Sequence, residues 1–340
     1  MLQLKMPTVW LSKKMALEPL LTPSLASSAS EKLDWLEFTA FLSSTGVARL
    51  DVLVSALNQQ EEEQTEDFGE EDRQKEAVIA DLENEFDYRS QALGEEYPFL
   101  LSDDAEELHL VRSWEDERAV FYFVCLLASH LVNSPFVAFE ISTGMETRLR
   151  NEVFQIVSTL AMAGVSLGPS VSIGWPRSND ETILEVLRRA SAEHAGFNAR
   201  ATAHPDVANP HDKDGGMDVI SWRSAIRPPP LNLYFGQVAS GADWKGKSAA
   251  NKAKSFKAKF LELGPLGNED YTTLTPLRIA DEPLWKREHV DHGSIVDRTM
   301  LPTLAHNGML LAADGVMVDE AENLPAVLQW VADYRAEALS

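Results

Sequence analysis

Asp218 and Gln237 are the side chains of this sequence best placed to do chemistry. Asp218 stands directly before Val219-Ile220, and Gln237 lies near the end of the apolar run 231–238. A carboxylate and an amide are disfavoured on buried strands unless something compensates them. A divalent cation is one compensator, which points to a metal-dependent active site. The plainer alternative is a satisfied turn aspartate and an edge-strand glutamine.

These side chains need a β-hairpin to bring them together. Residues 214–222 and 231–240 read as its two strands, turning at Arg227-Pro228-Pro229-Pro230. Alternate residues of a strand share a face, so Gln237 points with Phe235 and Ala239. In an antiparallel pair, Asp218 then comes close to Gln237. A helix is expected over 179–196, with Ser178, Asn179 or Asp180 as its cap and Glu181 in its first turn. Residues 244–263 are rich in Ala and Lys and predict another helix. Lys245, Lys247, Lys252, Lys254, Lys257 and Lys259 follow one another with no acidic residue between them. Such a face either runs beside a phosphate backbone or is simply solvated, and Lys252, Lys254 and Lys257 are the nucleic-acid contacts the first reading names.

A strand aspartate followed by an acid or amide, a spacer and a lysine on the next strand is the PD-(D/E)XK nuclease pattern. Residues 178–250 resemble that superfamily, in the variant with Gly-Gly-X-Asp on the first strand and Gln in the second acidic position. The resemblance implies an α/β restriction-endonuclease-like core, a mixed sheet flanked by helices. It implies that Asp218, Gln237 and the Val238 carbonyl hold Mg²⁺, with Mn²⁺ as a substitute, and that Glu181 or Glu185 joins them from the preceding helix. The ion would activate water and neutralise charge on the phosphate. The lysine position is occupied by Ala239. Lys247 is the first choice for a displaced lysine and Lys245 the second; the other possibility is a catalytically inactive nuclease-fold subunit that scaffolds or regulates a complex. The resemblance also implies a setting in bacterial restriction or antiviral defence.

The rest of the chain divides, on this reading, into a loosely ordered stretch at 1–30, an acidic and mainly helical domain at 31–150, and the nuclease domain at 151–340. Helices are expected at 31–42, 47–57, 78–93, 117–131, 151–163 and 320–339, and a short hairpin at 97–111. A glycine-bearing loop is expected at 164–172. Further strands are expected at 274–279, held to an edge by Pro276, and at 309–317. The pair of segments at 31–57 could be mistaken for a helix-turn-helix, but Arg49 is the second segment's only cation. Residues 60–87 are strongly acidic, as in a solvated linker or helix face.

The 340 residues carry a formal net charge of −23. That surface repels phosphate on average. Any nucleic acid, double-stranded DNA being the expected one, must therefore meet a local basic patch, and a protein partner or homo-oligomer is expected. Cys125 is the only cysteine, so an internal disulfide and a multi-thiolate zinc site are excluded, in keeping with a reducing cytoplasm. It lies in an apolar run that predicts core packing rather than catalysis. No signal peptide or membrane span is evident. A calcium loop starting at Asp212 fails because its twelfth position is Arg223. His289 and His292 flank Asp291 without the spacing of a zinc protease. No phosphate-binding Gly-rich loop and no Gly-X-Ser-X-Gly is present.

Overall fold

The computed structural model describes residues 20–62, 68–131, 134–174, 177, 181–208, 214–241 and 243–340. The chain opens with α1 (Ala29–Leu42), started by a capping box in which Ser28 and Glu31 satisfy each other's backbone N–H groups. A short strand β1 (Val47–Arg49) precedes α2 (Leu50–Glu62), so the helix expected from 47 begins three residues later. The long α3 (Phe68–Leu93) follows. Strands β2 (Phe99–Leu101) and β3 (Glu107–Leu110) form the expected hairpin, and β1 joins it as an antiparallel third strand. Then come α4 (Val120–Ser129), α5 (Thr143–Arg148), a π-helical turn at Leu149–Val153, and α6 (Phe154–Ser166).

The site-bearing half continues with β4 (Ser170–Ser172), α7 (Ile183–Ala192), β5 (Asn198–Ala199), β6 (Val219–Arg223) and β7 (Asn232–Val238). Next are α8 (Ala249–Phe260), β8 (Leu261–Leu263), β9 (Asn268–Leu274), α9 (Glu282–His292), β10 (Ser294–Val296), α10 (Leu301–Ala313) and α11 (Leu324–Ala338). The main sheet runs β10-β9-β7-β6-β4. Strands β7, β9 and β10 are parallel, whereas β6 is antiparallel to both of its neighbours. The chain is thus mixed α/β with a mixed sheet flanked by helices, as expected. The start of β6 and the ends of β7, β9 and β10 meet along one sheet edge.

Several elements differ from the sequence reading. The 164–172 segment is not all loop: α6 runs through Gly164, and Ser170–Ser172 pairs with β6. The strand expected at 309–317 is instead the end of α10, because a short apolar run has no period that separates strand from helix, and Pro302 starts a helix upstream. The strand expected at 274–279 is absent: β9 ends at Leu274, and the residues around Pro276 are not strand, because proline cannot continue the ladder; β9 itself is an inner strand, not an edge. The N-cap of α7 is Thr182, in a capping box with Glu185; the proposed caps 178–180 lie outside the described residues.

Residues on both sides of position 150 share one apolar core. Phe38, Phe41, Phe121 and Phe123 belong to the same cluster as Val157, Leu160, Leu301 and Trp330. The reason lies in α4, which is apolar all round and needs cover on every side; α10 and α11 supply part of it. A buried ionic network ties the same regions. Asp34 accepts from Arg298 at 2.6 and 2.9 Å, from Arg89 at 2.6 Å, and pairs with His130 at 2.7 Å. The guanidinium groups hold its carboxyl below the usual range despite burial. Cys125 sits wholly inside this core, where burial pushes its thiol up and keeps it unreactive. A second apolar cluster, including Val171, Ile220, Trp222, Phe235 and Phe256, packs the other face of the sheet. No helix among the described residues is long and apolar enough to cross a membrane.

Candidate functional site at the edge of the mixed sheet

The hairpin forms in the predicted register, with Val219 opposite Gly236 and Ile220 opposite Phe235. Asp218 extends β6 by one residue, its N–H donating to the Gly236 carbonyl at 3.0 Å. Its side chain faces that of Gln237. Asp218 Oδ2 accepts from Gln237 Nε2 at 2.6 Å and from the Val238 N–H at 2.7 Å. Val238 therefore enters the site through its N–H as well as through its place in the lining.

The turn before Asp218 requires both glycines. Gly215 and Gly216 have φ of +64° and +85°, and a Cβ on Gly215 would come within 2.6 Å of the Phe260 ring. The Asp214 carboxylate closes this turn by accepting the Gly216 N–H at 2.7 Å. The Asp218 carbonyl accepts from Ile173 N at 2.8 Å, Gly174 N at 2.9 Å and Gln155 Nε2 at 2.9 Å. Gly174 has to be small, since a Cβ there would lie 2.7 Å from Gln155 Oε1.

A cleft of about 410 Å³ opens over Asp218. Its lining comes from Arg150, Asn151 and Gln155 at the start of α6 and the turn before it, from Asp214, Asp218, Gln237 and Val238 of the hairpin, and from Ser240, Asp243 and Lys247 of the segment after it. Burial pushes the Asp218 carboxyl up to about 6; the Val238 N–H opposes this, nearby Asp214 adds to it, and the positive charge of Lys247 pulls it back.

Lys247 reaches the cleft because the expected helix over 244–263 is broken. A 3₁₀ turn at Trp244–Gly246 comes first, and α8 starts afresh at its Ser248 cap. Between them Lys247 is non-helical, with φ −107° and ψ 75°. Lys245 lies outside the cleft, its ammonium 5.9 Å from the centre of the Trp244 ring. Ala239 is fully buried among Trp244, Ile279 and Ile295, so a lysine there would have to bury its charge.

The glutamates expected from the preceding helix are elsewhere. Glu185 is spent on the α7 cap, accepting from Thr182 N and Oγ1 at 2.7 Å each. Glu181 pairs with Arg189 at 2.9 Å, and Arg189 also binds Asp319. Neither lines the cleft. The helix that does reach Asp218 is α6, through Gln155. The sequence signal was available: Gln155 is a lone amide in an otherwise apolar helical run. Asp214, Asp243 and the pair Arg150-Asn151 were also missed.

The lysine-rich helix is divided. Lys252 and Lys254 are exposed, the Lys252 stem lying over Gly216 with Cδ 3.2 Å from where a Cβ would be. Lys257 instead forms an ion pair with Glu269 and lies 5.8 Å from the Phe235 and Tyr271 ring centres, so it is a poor phosphate contact. His289 and His292 lie on α9 and serve packing: His292 Nδ1 meets Thr273 Oγ1 at 3.1 Å, and His289 Nδ1 meets the Trp285 carbonyl at 3.0 Å.

The donor set suits a hard cation that keeps most of its waters. Among the described residues, no three His, Cys, Asp or Glu side chains converge as a complete ligand cage. Mg²⁺ needs only one or two protein carboxylates. Asp218 supplies one, and Asp214 and Asp243 line the same cleft; Gln237 faces Asp218 through Nε2, so its neutral oxygen would join them only after the amide turns over. A carboxyl raised to about 6 by burial is one whose ionised form a cation would favour. Comparison of the chain with protein-family models, with curated proteins and with solved structures yields no match.

Proposed function

We propose that the chain is a metal-dependent nuclease with a restriction-endonuclease-like core, hydrolysing phosphodiester bonds of nucleic acid, with double-stranded DNA as the first candidate substrate. The observation that carries this reading is the meeting of Asp218, Gln237 and Lys247 in one cleft at the sheet edge. These residues come from a Gly-Gly-X-Asp strand, its hairpin partner and the segment after it. The mixed sheet with helices on both faces also supports it.

In this reading Asp218 and Gln237, with Val238 beside them, hold Mg²⁺ or Mn²⁺. The bound ion would supply charge neutralisation at the phosphate and a more acidic water. Lys247 takes the role that Ala239 cannot, placing an ammonium beside the phosphate undergoing attack. Asp218 is held by the hydrogen bonds to its main chain, so its carboxylate is positioned before substrate arrives. The chain's charge of −23 argues that a partner recruits or gates it, in keeping with a restriction or antiviral role. The second reading is a non-catalytic subunit of the same fold; it is favoured by the hydrogen bond that Gln237 Nε2 already donates to Asp218 Oδ2, which satisfies the carboxylate without a cation.

The test is cleavage of duplex DNA, single-stranded DNA and RNA in Mg²⁺ or Mn²⁺ against an EDTA control. Folded Asp218→Ala should be inactive. Lys247→Ala should lose about 100-fold or more in rate, and Lys245→Ala should cut normally. Absence of cleavage on every substrate, with natural partners present, would establish the non-catalytic reading.

A further inference from the structure

We propose that the π-turn Leu149–Val153 is a phosphodiester-binding wall, in which Arg150 leaves Glu146 to take a non-bridging phosphate oxygen and Asn151 donates beside it. This deepens the nuclease reading and rests on it for the identity of the ligand.

The turn is π-helical because the Phe154 N–H reaches back to the Leu149 carbonyl. Leu149 and Val153 remain buried at its two ends, and Arg150, Asn151 and Glu152 stand exposed between them. Such turns pack less well than α-helix and recur where a helix must re-aim side chains at a site. Arg150 and Asn151 line the same cleft as Asp218, while the Arg150 guanidinium is held at Glu146, which does not line it. Gln155, just beyond the turn, donates to the Asp218 carbonyl at 2.9 Å, so α6 and the hairpin are tied together.

The charges of the cleft favour a further cation. Asp214, Asp218 and Asp243 line it, and a phosphodiester adds another negative charge. A divalent ion and Lys247 leave one negative charge uncompensated, and Arg150 is the remaining cation in the lining. Its planar fork suits phosphate oxygens, and Asn151 offers an amide donor. Arg150 now pairs with Glu146 at 2.7 Å, with both side chains well exposed. An exposed i,i+4 pair is weak and can be exchanged for a charge-assisted bond to phosphate. Arg148, one residue before the turn, is committed elsewhere, bridging Asp333 at 3.1 Å and Glu152 at 3.6 Å.

Two substitutions separate this role from a structural one, because they should act in opposite directions. Binding of a fluorescein-labelled DNA duplex is measured in the Asp218→Asn background, where cleavage is off. Adding Arg150→Ala should weaken binding by about 10-fold and flatten the log–log salt dependence by about 0.9. Adding Glu146→Gln should tighten binding by about two- to fivefold, as expected from releasing an exposed ion pair. Arg150→Lys should keep the salt slope and lose part of the affinity. With Asp218 intact, kcat/KM for cleavage should fall with Arg150→Ala and rise with Glu146→Gln. If Arg150 merely braces the helix through Glu146, both variants lose the same pair and act alike, with an unchanged slope; that result overturns the proposal. Binding that depends on Arg150 without any cleavage would uphold the wall and reject the nuclease. Normal cleavage by Arg150→Ala would reject the wall and uphold the nuclease. A wild type that neither binds nor cuts rejects both.

Discussion

Replacing Asp218 by Asn should make the metal-free protein more stable at neutral pH. Burial raises the Asp218 carboxyl to about 6, against an ordinary value of 3.8. The folded state therefore binds a proton more tightly than the unfolded state does. The sign follows directly: ionising this group favours unfolding, so it costs stability above the folded value, costs less as pH falls from 6 to 4, and costs almost nothing below 4. A shift of about two units at ~1.4 kcal/mol per unit amounts to ~3 kcal/mol at pH 8. Asn is isosteric, and its carbonyl oxygen can accept from the Gln237 amide and the Val238 N–H as Asp218 Oδ2 does now. At ~2.1 cal/mol/K per residue, the unfolding entropy of a chain this long is ~0.7 kcal/mol/K, so Tm should rise by about 4 °C. The assay is thermal unfolding of both proteins in EDTA from pH 4 to pH 8. The gain should grow between pH 4 and 6 and level off above. Excess Mg²⁺ should then raise the Tm of the wild type and leave Asp218→Asn unchanged. An Asn variant less stable than the wild type at pH 8, or a difference independent of pH, would refute the claim that the carboxylate is held against its desolvation for a cation.

Further outcomes are expected from the packing. Gly308→Ala should destabilise by about 1–3 kcal/mol or more in urea unfolding, because its Cβ would lie 2.0 Å from the Leu160 carbonyl oxygen and force α6 from α10. Asp34→Asn should cost about 3–5 kcal/mol, leaving Arg298 and Arg89 buried without their shared carboxylate; a loss under 1 kcal/mol would show that water or Glu37 replaces it. In duplex-binding titrations, Lys252→Glu with Lys254→Glu should weaken binding and flatten the salt slope, by about 0.9 per lost contact. Lys257→Ala should leave that slope unchanged, since its ammonium is held by Glu269.

The residues near Asp218 were legible in sequence because local rules govern them. A Gly-Gly turn, two apolar strands and a proline-rich reversal define a hairpin whose period brings Asp218 and Gln237 together. Lys247 could be named as well, since it follows β7 closely and a short turn suffices to bring it back. The short strands β4 and β10 carried no such signal: each has three residues, too few to show a period, and is held by its neighbours rather than by its own pattern. Likewise, the end of α10 was read as strand because a short apolar run is compatible with either element until packing against α6 decides. The helix contributing to the site was misassigned to α7 because nearness in sequence was taken for nearness in space; the sheet order places α6 against β6 and sends Glu185 to a cap. Local spacing thus determined which side chains could pair across the hairpin. Long-range packing alone decided that Gln155, Arg150 and Asp243 share their cleft, and that Asp34 on α1 binds Arg298 some 264 residues away. Those contacts depend on how whole elements bury their apolar faces, which no window of neighbouring residues encodes.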